Sequence, residues 1–183
     1  MFRITRVSSL GVTMMTGWFA FSGLAKGANA VESDQVSSLL SNAETQAFQL
    51  KEDADSVERY SRATTSWESH ADAINRIKED VNKMGTLLNS LEQNRAGAAE
   101  WQQVAIDRVL PVAKELAANT TAAINHLNQF PKRLNTPNYQ EYLEAIADSA
   151  ANLASTIRDF VDYGKAKQRL DRLAAKVEIP AGK

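Results

Sequence analysis

INRIKEDVNKMGTLLNSL, residues 74 to 91, carries apolar side chains at Ile74, Ile77, Val81, Met84, Leu88 and Leu91. The gaps are 3, 4, 3, 4 and 3, a heptad seam that only a helix brings onto one face. Upstream, Thr65-Ser66-Trp67-Glu68 reads as a capping box, with a hydroxyl first and a carboxylate three residues on. This predicts a helix from about Ser66 to Asn94. Gly85 lies inside it and costs roughly 1 kcal/mol relative to Ala, so its bare side is expected to let a neighbouring helix come close.

Three further segments have the same 3/4 spacing. The first spans about Ser33 to Tyr60, with Val36, Leu39, Leu40, Ala43, Ala47, Leu50, Ala54 and Val57 on one side. The third, about Ala98 to Phe130, follows Gly97 and is built on Trp101, Ala105, Val109, Val112, Leu116, Ala123, Leu127 and Phe130. Pro111 falls in its middle, so a kink near Asp107 to Leu110 is expected. The fourth opens at Thr136-Pro137, a cap residue with Pro at the first helical position. It runs through Tyr139, Leu143, Ile146, Ala150, Leu153, Ile157, Phe160 and Gly164 to Pro180.

The connections, Ser61 to Thr65, Arg95 to Gly97 and Pro131 to Asn135, are short. Short loops between long helices force antiparallel neighbours. The expected fold is all-α: one antiparallel up-down-up-down four-helix bundle over residues 31–183, with a kinked third helix and a long fourth. The fourth should overhang the bundle by roughly 15 Å at 1.5 Å per residue, from Gly164 to Glu178. Leu170, Leu173 and Val177 continue its stripe there, and should either fold back on the first helix or meet a partner or second copy.

Residues 1–30 read as an export signal. Arg3 and Arg6 precede an apolar stretch from Leu10 to Leu24, and Ala28-Asn29-Ala30 is a small-x-small cleavage site. The stretch is shorter than the roughly 20 residues of a membrane span, and no second apolar segment follows. The product is expected in the periplasm or outside the cell.

The 183 residues contain no Cys, which excludes disulfides, thiolate metal sites and covalent haem. Arg3, Arg6 and Lys26 are the only charges before Val31; the remaining 18 basic and 22 acidic residues give about −4. A weakly acidic chain lacks the footprint for nucleic acid or an anionic membrane.

Candidate chemistry is sparse. His70 and His126 lie at similar distances either side of the Gly97 turn and should meet at one end of the bundle. Tyr60, Trp67, Tyr139 and Tyr142 are expected there too, with Glu68 or Asp72 nearby. That end is the candidate metal or small-ligand site, although both histidines border the stripe, where surface hydrogen bonding is the ordinary role. No Glu stands three residues before a His, which opposes a di-iron carboxylate centre. Met84 should lie level with Leu110 and away from His126, which opposes haem ligation. Glu52, Asp53, Asp55 and Glu58 read as a solvated face rather than a calcium loop. Asn119 and Thr120 read as polar residues at the core edge that fix register. No nucleophile elbow or phosphate loop is present, so no catalytic residue and no cofactor are assigned.

The stretch Thr65 to Gly85 (TSWESHADAINRIKEDVNKMG), Trp101-Gln102-Gln103 and Asp159 to Lys165 (DFVDYGK) resemble an uncharacterised family of small exported bacterial helical proteins. The resemblance covers most of the chain after the signal and implies no activity. The Leu-Thr-x-x-Gln repeats of periplasmic helical chaperones are absent. The sequence therefore suggests a non-enzymatic envelope protein that works through its helix surfaces.

Overall fold

The computed structural model describes residues 32–61, 66–131 and 133–177, except the side chains of Tyr60 and Ser61. The export signal, Thr65, Pro180 and the side chain of Tyr60 lie outside the described residues. Four helices follow one another: α1 (Asp34–Ser61), α2 (Trp67–Asn94), α3 (Glu100–Gln129) and α4 (Pro137–Lys176). A 3-10 turn, Arg95–Gly97, joins α2 to α3. No strand occurs among the described residues.

Each helix packs on its chain neighbours, and α1 also packs on α4, the most extensive of the four interfaces. The result is a closed up-down-up-down ring around one apolar core. The heptad of α2 faces that core: Ile74, Ile77, Met84, Leu88 and Leu91 are buried, and Val81 half-buried. Ser66, one residue after the expected capping hydroxyl, is the cap of α2; its Oγ accepts from the Ser69 N–H at 3.3 Å. α3 stays one helix through Pro111. Pro111 and Asp107, whose carbonyl loses its donor, both lie on the exposed side, where that carbonyl is open to solvent.

The register of the ring rests on one buried amide. Gln102 has no exposed surface. Its Oε1 accepts from the N–H groups of Ser33 (3.1 Å) and Ala99 (3.0 Å). Its Nε2 donates to the Ser33 carbonyl and to Ser37 Oγ, both at 2.9 Å. One side chain thus caps α3 and ties the start of α1 to it. Thr120 does not take the register role expected of it: it is buried, but its Oγ1 donates to Leu116 O within its own helix at 2.8 Å. No bond from Asn119 to another helix occurs among the described residues.

The close approach expected at Gly85 is found at a different glycine. A Cβ on Gly85 would meet nothing within 4 Å. No helix comes close there; Gly85 lines an open cleft of about 170 Å3 between α2 and α3, with Met84, Leu88, Leu110 and Ala113. The close approach is at Gly164, where a Cβ would lie 2.7 Å from Cη2 of Trp101. The same substitution should therefore have opposite signs. Gly85→Ala should raise stability by about 0.5–1 kcal/mol through helix propensity alone, whereas Gly164→Ala should lower it by about 1–3 kcal/mol through overpacking. Urea unfolding followed by circular dichroism checks both.

Candidate functional site

The two histidines do meet, but around a tyrosine. His70 sits four residues before Ile74, so it occupies the next seam position and is 1% exposed; it is a core residue, not one bordering the stripe. Its Nδ1 lies 3.3 Å from Oη of Tyr139, itself fully buried. His126, from α3, stacks on the other side of the pair's environment: its ring lies 5.1 Å from that of Tyr139 at 19°. His126 also meets the edges of Tyr142 and Phe130. Its Nε2 lies 3.1 Å from Arg133 O and 3.2 Å from Thr136 Oγ1. A carbonyl only accepts, so Nε2 carries the proton and holds the α3–α4 connection.

Burial pushes the His70 pKa below its ordinary value, and pushes the Tyr139 phenol well up. Both groups are thereby held neutral. Trp67 reaches the same end, with Nε1 donating to Leu127 O at 3.4 Å. Glu68 and Asp72 are exposed; Glu68 belongs to the α2 start, where its own N–H and the Ser66 hydroxyl hold its carboxyl below the usual range. The imidazole nitrogens that make recorded contacts face partners of the chain itself, and no group of three or more His, Cys, Asp or Glu able to hold a metal ion occurs among the described residues. Met84 lines the α2–α3 cleft with Leu110, as the pairing across Gly97 requires. On α1, Lys51 binds Asp55 at 2.6 Å and Gln49 binds Asp53 at 2.9 Å, which ties part of the acidic run into local pairs.

The opposite end holds the Gln102 clamp and the Trp101–Gly164 contact, and α4 runs on past it. Its last hydrogen bond to the α1 side is from Gln168 Nε2 to Oε1 of Glu32, two residues before α1, at 2.9 Å. Gly164 is buried, so the overhang begins after Gln168 rather than at Gly164. From Arg169 to Lys176 it projects about 12 Å at 1.5 Å per residue.

The overhang's apolar residues are not in line with the core. At 100° per residue, Gly164 is followed on the core side by Gln168, Asp171 and Ala175. Leu170, Leu173 and Val177 lie roughly half a turn away, on the side facing out from the bundle. They are 65%, 49% and 62% exposed and do not fold back on α1. Tyr163, 53% exposed, begins the same line, its ring edge against Trp101 at 5.4 Å. Lys165, Lys167, Arg169, Arg172 and Lys176 surround it, against two acids, Asp162 and Asp171.

No protein-family model, curated protein or solved structure matches the chain. The reading of the surface therefore rests on its own chemistry.

The His70 environment gives a pH signature. The folded chain keeps His70 neutral below its ordinary value of about 6.5, while the unfolded chain takes the proton there. Stability should be complete above that value and fall as the pH drops through it. Urea midpoints measured from about pH 7.5 to 5.5 should fall for the wild type, and less steeply for His70→Gln. At neutral pH, Gln102→Ala should cost about 2 kcal/mol or more, because it strands two N–H groups and a carbonyl.

Proposed function

We propose that the chain is an exported, non-catalytic helical bundle that acts by protein–protein contact in the cell envelope, with the end of α4 as its contact surface. The observation that carries this reading is the exposure of Leu170, Leu173 and Val177 on the outward side of α4. Three large apolar side chains left in water on three successive turns give up roughly 1.5–3 kcal/mol of burial each. A surface of that kind is characteristic of an interaction site.

Two features support the rest of the reading. The N-terminal segment has the charge, apolar length and small-x-small ending of a secretory signal. No helix among the described residues is long and apolar enough to cross a membrane. Gln102 closes the ring, and His70 and Tyr139 hydrogen-bond to each other within it, so these three buried polar groups serve the fold.

The test has two parts. Intact-mass measurement of protein recovered from the envelope fraction should give a chain beginning at Val31. A photo-crosslinking residue at position 170 or 173 should yield discrete adducts in cells, and one at exposed Asn75 on α2 should not. Retention of residues 1–30 overturns the processing, and equal labelling from positions 173 and 75 overturns the contact surface.

A further inference from the structure

The outward line of α4 is itself a heptad. Tyr163, Ala166, Leu170, Leu173 and Val177 follow gaps of 3, 4, 3 and 4, alternating a and d positions of a coiled-coil seam. Ala166 is exposed like its neighbours. The flanking g and e positions are Asp162, Lys167, Arg169, Ala174 and Lys176. Three of the four charged residues at these flanks are cationic, and the acid, Asp162, stands at the end of the seam nearest the bundle. Lys167 binds Asp171 at 3.0 Å, a local pair across one turn; among the described residues no ion pair of Arg169 or Lys176 is recorded.

We infer that this seam receives an amphipathic helix of another protein whose flanking positions are acidic. The inference rests on the contact surface proposed above and adds the chemistry of the partner. Flanking charges choose coiled-coil partners, because like charges across the seam repel and opposite charges attract. A second copy laid antiparallel would set Arg169 against the other copy's Lys176, and one laid parallel would bring the acidic upstream stretch of α4, Glu141, Glu144, Asp148 and Asp159, against itself. Among the described residues, the acidic α1 of a second copy offers no exposed large apolar side chain to fill the seam. An anionic membrane fits the last turns but not the rest of the line. The same outward side of α4 upstream carries Glu141, Glu144, Asp148, Asp159 and Asp162, all exposed. A helix laid along a negative surface would press those carboxylates against it. A partner helix that covers only Tyr163 to Val177 avoids all of them but Asp162.

The experiment uses the protein from Val31 onward, whose described residues form the closed ring. Its probes are a heptad peptide with Ile at a, Leu at d and Glu at every e and g, and its counterpart with Lys at e and g. Fluorescence anisotropy at low salt should show binding of the Glu peptide and at least roughly tenfold weaker binding of the Lys peptide. Leu170→Glu/Leu173→Glu should abolish binding with the helical circular dichroism unchanged, since neither side chain is in the core. Arg169→Glu/Lys176→Glu should reverse the preference. Vesicles of phosphatidylglycerol and phosphatidylethanolamine should not sediment the protein. Equal binding of the two peptides, no binding of the Glu peptide, or sedimentation with the vesicles overturns the inference. Adducts at position 173 combined with no Glu preference would remove the acidic partner and leave the contact surface standing; loss of the adducts removes both.

Discussion

Closure of the ring depends on α1 meeting α4, the two helices farthest apart in the chain. That interface is the most extensive of the four, and its two helices are also the richest in buried alanine. Ala43, Ala47 and Ala54 line α1; Ala147, Ala150 and Ala154 line α4. Small side chains let helix axes approach, so more of each backbone surface leaves water. Such a face is weakly self-registering, because alanines present little relief. The register is supplied instead by groups of definite shape at one end. Gln102 holds Ser33 through both its backbone groups, and the Trp101 ring fills the space left by the missing side chain of Gly164. Both of these contacts run through α3; a cation stacked on a ring, Arg158 over Phe48 at 4.2 Å, joins α4 to α1 directly.

The looser side of the ring is the mirror of this arrangement. α2 and α3 share the least extensive of the four interfaces and the cleft at Gly85. α2 itself carries the most regular seam in the chain, with large side chains at nearly every core position. Large residues hold neighbours farther apart than alanines do, and a glycine among them leaves a gap rather than an embrace. Regularity of pattern and closeness of packing are therefore separate properties in this bundle.

The helices and their order were legible because apolar spacing, caps and breakers agree at each boundary: Pro137 starts α4, and Gly97 marks the α2–α3 turn. The meeting of His70 with His126 followed from counting residues either side of that turn. Their roles did not follow. Height along a bundle can be counted, but the rotation of a side chain about its helix axis decides whether it is core or rim, and one seam position separates the two for His70. Gln102 left no signal beyond a polar residue near a helix start, since its partners are backbone groups distant in sequence. The close contact at Gly164 was likewise invisible, because the residue that explains it, Trp101, lies on another helix.

The end of α4 shows how a spacing pattern conceals a change of face. Counting threes and fours through Gly164 and onward to Leu170, Leu173 and Val177 keeps an apolar rhythm. The step of six from Gly164 to Leu170, however, rotates the line by 600°, which is 240° beyond a full turn. The polar residues Gln168 and Asp171 hold the inward position instead. A helix that keeps its apolar rhythm while moving it to the opposite side must bury its two lines in two places: the first within its own bundle, and the second outside it. Tyr163 and Gly164, adjacent in sequence, mark the exchange, one opening the outward line and the other closing the inward one. The Trp101 ring touches both, so the point where α4 leaves the bundle is also the point where its surface begins to address something else.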